Sequence, residues 1–225
     1  MTLKALIFDV DGTLAETEDY HRIAFNLAFK DFGIDWQWNK SQYGELLKTT
    51  GGKERIARYA KEVDYGNIDV ATLHARKNDF YSQLITDGKI ELRSGVADLI
   101  EHAKNIRLGL AIATTTSRAN VNNLLHATLG PASLDWFDAI CCGDEVKNKK
   151  PDPAIYQLAL DRLGLPASQC LAFEDSHMGL MSALGAGLPV IVTPGIYTRS
   201  GDFSRATLLL ENLSAPFSYL NLSAL

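Results

Sequence analysis

Short apolar runs alternate with helix-patterned segments through the last two thirds of the chain. That alternation constrains the fold more than any other feature. A helix is expected over about Val96–Lys104, then a strand over Leu108–Ala113 (LGLAIA) and a helix over about Arg118–Leu129. A strand at Ala139–Cys142, a helix at Pro153–Leu163, a strand at Cys170–Phe173, a helix at His177–Ala186 and a strand at Val190–Val192 follow. A further short strand is expected near Thr207–Leu210. With Ala5–Phe8 as the first strand, the spacing predicts an α/β fold: a doubly wound parallel sheet with helices on both faces.

The stretch between the first strand and Arg93 has a different character. It predicts helices over Glu18–Phe32, with Gly33 as the stop, over Lys53–Val63 and over Val70–Ile85. The expected organisation is a core of residues 1–16 and 90–225 with a helical insert at 17–89. The tail SAPFSYLNLSAL carries no pattern.

A formal net charge of −5 gives no reason to expect nucleic acid as a partner. No apolar run approaches the roughly 18 residues that a membrane span needs. The apolar start is cut short by Asp9, so it does not read as a signal peptide. Cys141, Cys142 and Cys170 match no common zinc spacing and read as buried, reduced thiols. A cytoplasmic location is expected, with the plastid stroma as the alternative in a eukaryote.

In open parallel sheets, ligands bind beyond the carboxyl ends of the strands. The first strand ends in Asp9-Val10-Asp11-Gly12-Thr13, where alternation turns both carboxylates the same way. Two adjacent like charges need a cation between them or a shared proton. The second strand ends in Thr114-Thr115-Thr116, a later helix is preceded by Lys149-Lys150-Pro151-Asp152-Pro153, and another strand ends in Glu174-Asp175-Ser176. Carboxylates, a hydroxyl and an ammonium on one rim suit phosphoryl transfer with Mg²⁺. Blander readings exist for each. Thr114 could be a helix cap, Lys149-Lys150 a solvated pair, and Glu174-Asp175 a cap for the helix that follows.

Taken in order, DVDGT, the strand-terminal threonine, KKPDP and EDS resemble the four motifs of the haloacid dehalogenase superfamily. The helical insert resembles the cap of its β-phosphoglucomutase-like branch. TGGKER (Thr50–Arg55), ARKNDFY (Ala75–Tyr81) and TTTSRANV (Thr114–Val121) are most similar to the CbbY-like proteins, which remove a phosphate from xylulose-1,5-bisphosphate, an inhibitory by-product of Rubisco. The resemblance implies a Rossmann-like core and an aspartyl-phosphate route. Asp9 would be the nucleophile and Asp11 the general acid/base, its backbone carbonyl facing the metal. Thr114 and Lys150 would hold the phosphoryl group. The Mg²⁺ set would be Asp9, Asp11, Glu174 and Asp175. A monomer is expected, with a sugar bisphosphate as substrate and a metabolic link to Rubisco that needs no contact.

Specificity is expected from the insert. Gly51 and Gly52 expose backbone donors at a helix start, and Lys53 and Arg55 add charge for a distal phosphate. The alternative is an ordinary helix start with solvated basic residues. His21 matches a mutase position that couples cap closure to the acid/base aspartate, or is a helix-surface histidine. Glu16, Tyr43, Lys77, Thr115 and Arg118 are further candidates for sugar or phosphate contacts. Two readings compete with the phosphatase: a hexose phosphomutase, and a receiver-type phosphoacceptor, which the DxD pair and the insert disfavour.

Overall fold

The computed structural model describes residues 2–87 and 90–214. The insert boundary expected at residue 89 and the tail beyond residue 214 lie outside the described residues. The described residues form one parallel sheet of six strands: β1 (Ala5–Phe8), β2 (Gly109–Ala113), β3 (Ala139–Cys141), β4 (Cys170–Glu174), β5 (Val190–Val192) and β6 (Leu208–Leu209). Their order is β3-β2-β1-β4-β5-β6. The chain builds outward from β1 to β3, then returns to lay β4 on the other side of β1. The order therefore reverses between β1 and β4, where open α/β sheets place their ligands.

The β1 run is buried throughout, as a strand covered on both faces must be. Its register sets Phe8 beside Ile112 of β2 and Phe173 of β4. On one face, Ala5, Ile7, Ala111 and Ala172 join a core with Ile155, Tyr156 and Ala159 of α7 (Ala154–Leu163) and Leu180 and Ala183 of α8 (His177–Gly185). The alanines let those helices approach closely. Phe8 and Phe173 stack with ring centroids 4.8 Å apart. Helix α5 (Val96–Asn105) packs on β2, and α6 (Arg118–Leu129) follows β2. The three cysteines are buried free thiols, and burial pushes Cys142 up to about 12 and Cys170 up to about 11.

Contacts divide the chain into two compact units, Met1–Glu16 with Glu91–Leu225, and Thr17–Ile90. The second contains α1 (Glu18–Asp31), α2 (Lys40–Leu46), α3 (Gly52–Glu62) and α4 (Val70–Asp87). Helices α1 and α4 pack together, and Phe25, Phe29 and Trp38 form an aromatic core. The Asn26 side chain pairs with both backbone groups of Trp38, at 2.8 and 2.9 Å, and so fixes the chain after α1. Helix α2 has no counterpart in the sequence reading. It is seven residues long, and its start is set by Asn39, whose side chain accepts from Gln42 N at 2.9 Å. No helix among the described residues is long and apolar enough to cross a membrane.

Candidate active site

Asp9 extends β1 by one residue, donating its N–H to Phe173 O at 3.0 Å, and is buried. The chain then turns: Gly12 N reaches Ala15 O at 2.9 Å, and Leu14 N reaches Val10 O at 2.9 Å. Gly12 has φ +84°, and a Cβ there would run into the Asp175 carboxylate. Only glycine allows both the turn and the close approach of β4's end. Asp9, Glu174 and Asp175 each offer one oxygen, all within 4.8 Å of one another. The Asp11 carboxylate is not in this cluster; Asp11 is half-buried and pairs through its backbone with Ala15.

Lys150 supplies the cation. Its Nζ lies 2.6 Å from Asp9 Oδ1 and 2.6 Å from Glu174 Oε1. Burial opposes the charged ammonium, but the two carboxylates outweigh it and raise its pKa. Burial pushes the Asp9 carboxyl up to about 7, against the pull of Lys150 and with the repulsion of Glu174. Asp9 and Glu174 share the Lys150 ammonium, and Asp175 brings a third buried carboxylate oxygen within 4.8 Å of theirs. Carboxylate oxygens converging from two strand ends fit a divalent cation. Glu174 is heavily engaged: Oε1 accepts from Lys150 and from Tyr156 OH at 2.6 Å, and Oε2 accepts from Asp175 N at 3.2 Å and Ser176 Oγ at 3.4 Å.

The blander readings of these motifs fail on partners. The cap of α6 is Ser117, not Thr114, and the cap of α8 is Ser176. Thr114 directly follows β2, the strand beside β1, and is buried, with its Oγ1 accepting from Thr116 N at 3.3 Å. Lys149, not Lys150, ties its own loop, through Gly143 O and Val146 O. Thr115 is half-buried on the same loop as Thr114. Arg118 is exposed at the start of α6, with its guanidinium on Ile140 O and 3.6 Å from Glu145. Glu16 is paired with Arg93 at 3.4 Å and accepts from Ile196 N at 3.3 Å. Arg93 also donates to Gly12 O, Thr193 O and Pro194 O, pinning the loop after β1 to the loop after β5.

The helical unit has its own polar interior. His21 and Lys77 are both buried, with Nδ1 and Nζ 2.6 Å apart. His21 stacks on Tyr81 at 4.0 Å. Lys77 interrupts the otherwise apolar stripe Leu73, Tyr81, Ile85 on α4. His21 is not the helix-surface histidine that the sequence left open, and Lys77 is buried with it. Arg55 is buried too. Its Nε, Nη1 and Nη2 donate to Leu46 O, Tyr43 OH and Thr49 O at 3.2, 3.1 and 3.3 Å. Tyr43 is fully buried and donates onward to Glu18 Oε2 at 3.0 Å. Gly51 caps α3 at φ +89°, and the Glu54 carboxylate folds over it, where the sequence suggests an anion.

Two residues of these interiors escaped the sequence reading. His74 lies against Gly52. Burial first, then Lys77, Lys53, His21 and Arg55, pushes its pKa down to about 3. Its signal is its place beside a lysine on the buried face of α4. Tyr156, bonded to Glu174, is signalled only by the apolar run of α7 on which it sits.

Known proteins resemble this chain over nearly its whole length. The haloacid dehalogenase-like hydrolase family matches residues 3–187. Protein CbbY of Rhodobacter capsulatus is 54% identical over 217 residues, covering 96% of each chain. The crystal structure of CbbY from Rhodobacter sphaeroides in complex with phosphate superposes with a TM-score of 0.90 at 46% identity, covering 95% of this chain and 96% of that one. An Asp-to-Asn mutant of the same protein, crystallised in complex with xylulose-1,5-bisphosphate, matches with the same TM-score and coverage.

Proposed function

We propose a function from one premise: the chain belongs to the haloacid dehalogenase-like hydrolases and, among them, to the CbbY proteins. It is a Mg²⁺-dependent phosphatase that converts xylulose-1,5-bisphosphate to xylulose-5-phosphate. The observation that carries this reading is the buried Asp9–Glu174–Asp175 cluster with Lys150 bonded into it. A relative 46% identical to this chain binds that bisphosphate, which supports the choice of substrate.

Asp9 attacks the phosphorus of the C1 phosphate, forming an Asp9–phosphorus bond as the bond to the sugar oxygen breaks. Asp11 gives the departing oxygen its proton. It then takes a proton from water, which attacks the same phosphorus and frees Asp9. Lys150 and Thr114 hold the phosphoryl oxygens while Lys150 also screens Asp9 from them. Asp9 and Asp175, with Glu174 and the Asp11 carbonyl, would hold Mg²⁺, which when bound supplies charge against the phosphoryl oxygens. Burial holds Lys150 and Asp9 in the low-dielectric interior, where their attraction is worth more than in water.

The helical unit serves as the cap that reads the sugar. Lys53 and Arg55 supply positive charge for the second phosphate, and Glu16, His21, Tyr43, Lys77, Thr115 and Arg118 are the other contacts. For a phosphate to reach the Gly51–Gly52 backbone, Glu54 must swing away from Gly51. The enzyme works as a monomer in the compartment that holds Rubisco, cytoplasmic in a bacterium, and is linked to it by the inhibitor rather than by contact.

Acid quenching of the enzyme during turnover, followed by mass spectrometry, tests the route. A phosphate-sized mass gain on the peptide bearing Asp9, absent in Asp9→Asn, is expected. Sustained turnover by Asp9→Asn would overturn it.

A further inference from the structure

In the phosphatase reaction Lys150 must keep its ammonium at Asp9. Two buried carboxylates compete for that ammonium, each 2.6 Å away. Glu174 is the more deeply buried of the two, and a buried carboxylate with one strong donor holds that donor tightly. Tyr156 changes this balance. It is fully buried on α7, and its hydroxyl donates at 2.6 Å to Glu174 Oε1, the same oxygen that Lys150 meets. The Lys150 ammonium also lies 5.0 Å from the centroid of the Tyr156 ring, so the side chain contacts both members of the pair.

We propose that Tyr156 is a positioning residue for the phosphatase reaction. Its hydroxyl shares Glu174 Oε1 with Lys150, and so leaves the ammonium divided between Glu174 and Asp9. Without the hydroxyl, Oε1 has Lys150 as its one short donor among these contacts. The ammonium then shifts toward Glu174 and away from the nucleophile and the phosphoryl oxygens it must meet. The ring face toward Lys150 is unchanged by the loss of the hydroxyl. Substrate groups beyond the transferred phosphate are untouched, so the effect falls on turnover rather than on substrate affinity.

This inference rests on the phosphatase reading, and the experiment separates the two. Tyr156→Phe keeps the ring and removes the hydroxyl. Its kcat and KM are measured with saturating Mg²⁺, on p-nitrophenyl phosphate and on xylulose-1,5-bisphosphate. The expected result is a kcat lower by about 10- to 100-fold with KM changed by no more than about threefold, a range usual for residues that orient a reacting group. Binding of trifluoroberyllate, a mimic of the phosphoryl group on Asp9, is followed by ¹⁹F NMR and is expected to weaken in parallel. Ile155→Val, a cut in the same buried core one residue away, serves as the structural control and should leave both readouts unchanged. A Phe variant with wild-type kcat and trifluoroberyllate binding, or an equal loss in Ile155→Val, would overturn the inference alone. A wild type inert toward both substrates would overturn the phosphatase reading and the inference with it.

Discussion

Lys150 reaches across 141 positions of sequence to place its ammonium 2.6 Å from Asp9 Oδ1. The contact is made because β1 ends at Phe8, while the loop before α7 descends onto the same rim of the sheet. A lysine in that loop and an aspartate after that strand have no local reason to meet. The parallel sheet brings them together, and burial makes each depend on the other.

Replacing Lys150 should therefore cost both stability and activity. In Lys150→Met, Asp9 and Glu174 lose their shared cation inside the protein. Removing one partner of a buried ion pair costs about 3–5 kcal/mol. Denaturant unfolding should show a loss of that order, and phosphate release should fall to the level of Asp9→Asn. A variant as stable as the wild type would show that the two carboxylates do not rely on Lys150.

Gly12→Ala should damage the metal site without touching a ligand. The new Cβ meets the Asp175 carboxylate, and φ +84° is strained for alanine by about 1–3 kcal/mol. Displacing Asp175 should weaken Mg²⁺ binding by about 10- to 100-fold, read by calorimetric titration. Unchanged Mg²⁺ affinity would mean that Asp175 does not need its present position to bind the ion.

Acid should weaken the helical unit through His74. In the folded chain His74 takes up no proton until about pH 3, because it is buried among Lys77, Lys53, His21 and Arg55. In the unfolded chain it takes one up near pH 6.5, the ordinary value for histidine. The unfolded state thus binds more protons between these limits, and stability falls as pH drops below 6.5. From pH 6.5 to 5 the loss should be about 1–2 kcal/mol. Tryptophan fluorescence during urea unfolding, to which Trp36 and Trp38 contribute, should show it in the wild type and show a smaller drop in His74→Gln. An equal drop in both would place the acid sensitivity elsewhere.

Arg55→Ala should act on affinity and on stability. Its guanidinium bonds Leu46 O, Thr49 O and Tyr43 OH, and leaving such buried acceptors unpaired costs about 1–3 kcal/mol. If Arg55 also meets the second phosphate, KM should rise far more for a bisphosphate than for a monophosphate. Equal rises would assign Arg55 to the interior of the helical unit alone.

The sheet was legible in the sequence because its strands are short, buried on both faces and separated by helices of clear period. Ala5–Phe8, Val190–Val192 and Arg118–Leu129 are found at the expected bounds. Helix α2 was not legible: seven residues with Gly44 inside them carry too little periodicity, and Asn39 is the one local signal. The acidic and basic motifs stood out as polar residues at the ends of apolar strands. Their arrangement did not, since nothing local tells Lys150 from Lys149 as the partner of Asp9 beyond the proline after it. Tyr156 and His74 carried only a weak signal, for a related reason. Each sits on a helix whose apolar face hides a polar atom that matters only once a distant residue, Glu174 or Gly52, is packed against it.

Phosphate release by the purified chain with Mg²⁺ tests the substrate assignment. The substrates are xylulose-1,5-bisphosphate, ribulose-1,5-bisphosphate, fructose-1,6-bisphosphate, β-glucose-1-phosphate and simple monophosphates, with Asp9→Asn as the blank. The predicted result is fast release from xylulose-1,5-bisphosphate, little from its ribulose epimer, and none from the blank. Equal hydrolysis of the monophosphates, or isomerisation of β-glucose-1-phosphate in place of hydrolysis, would contradict it.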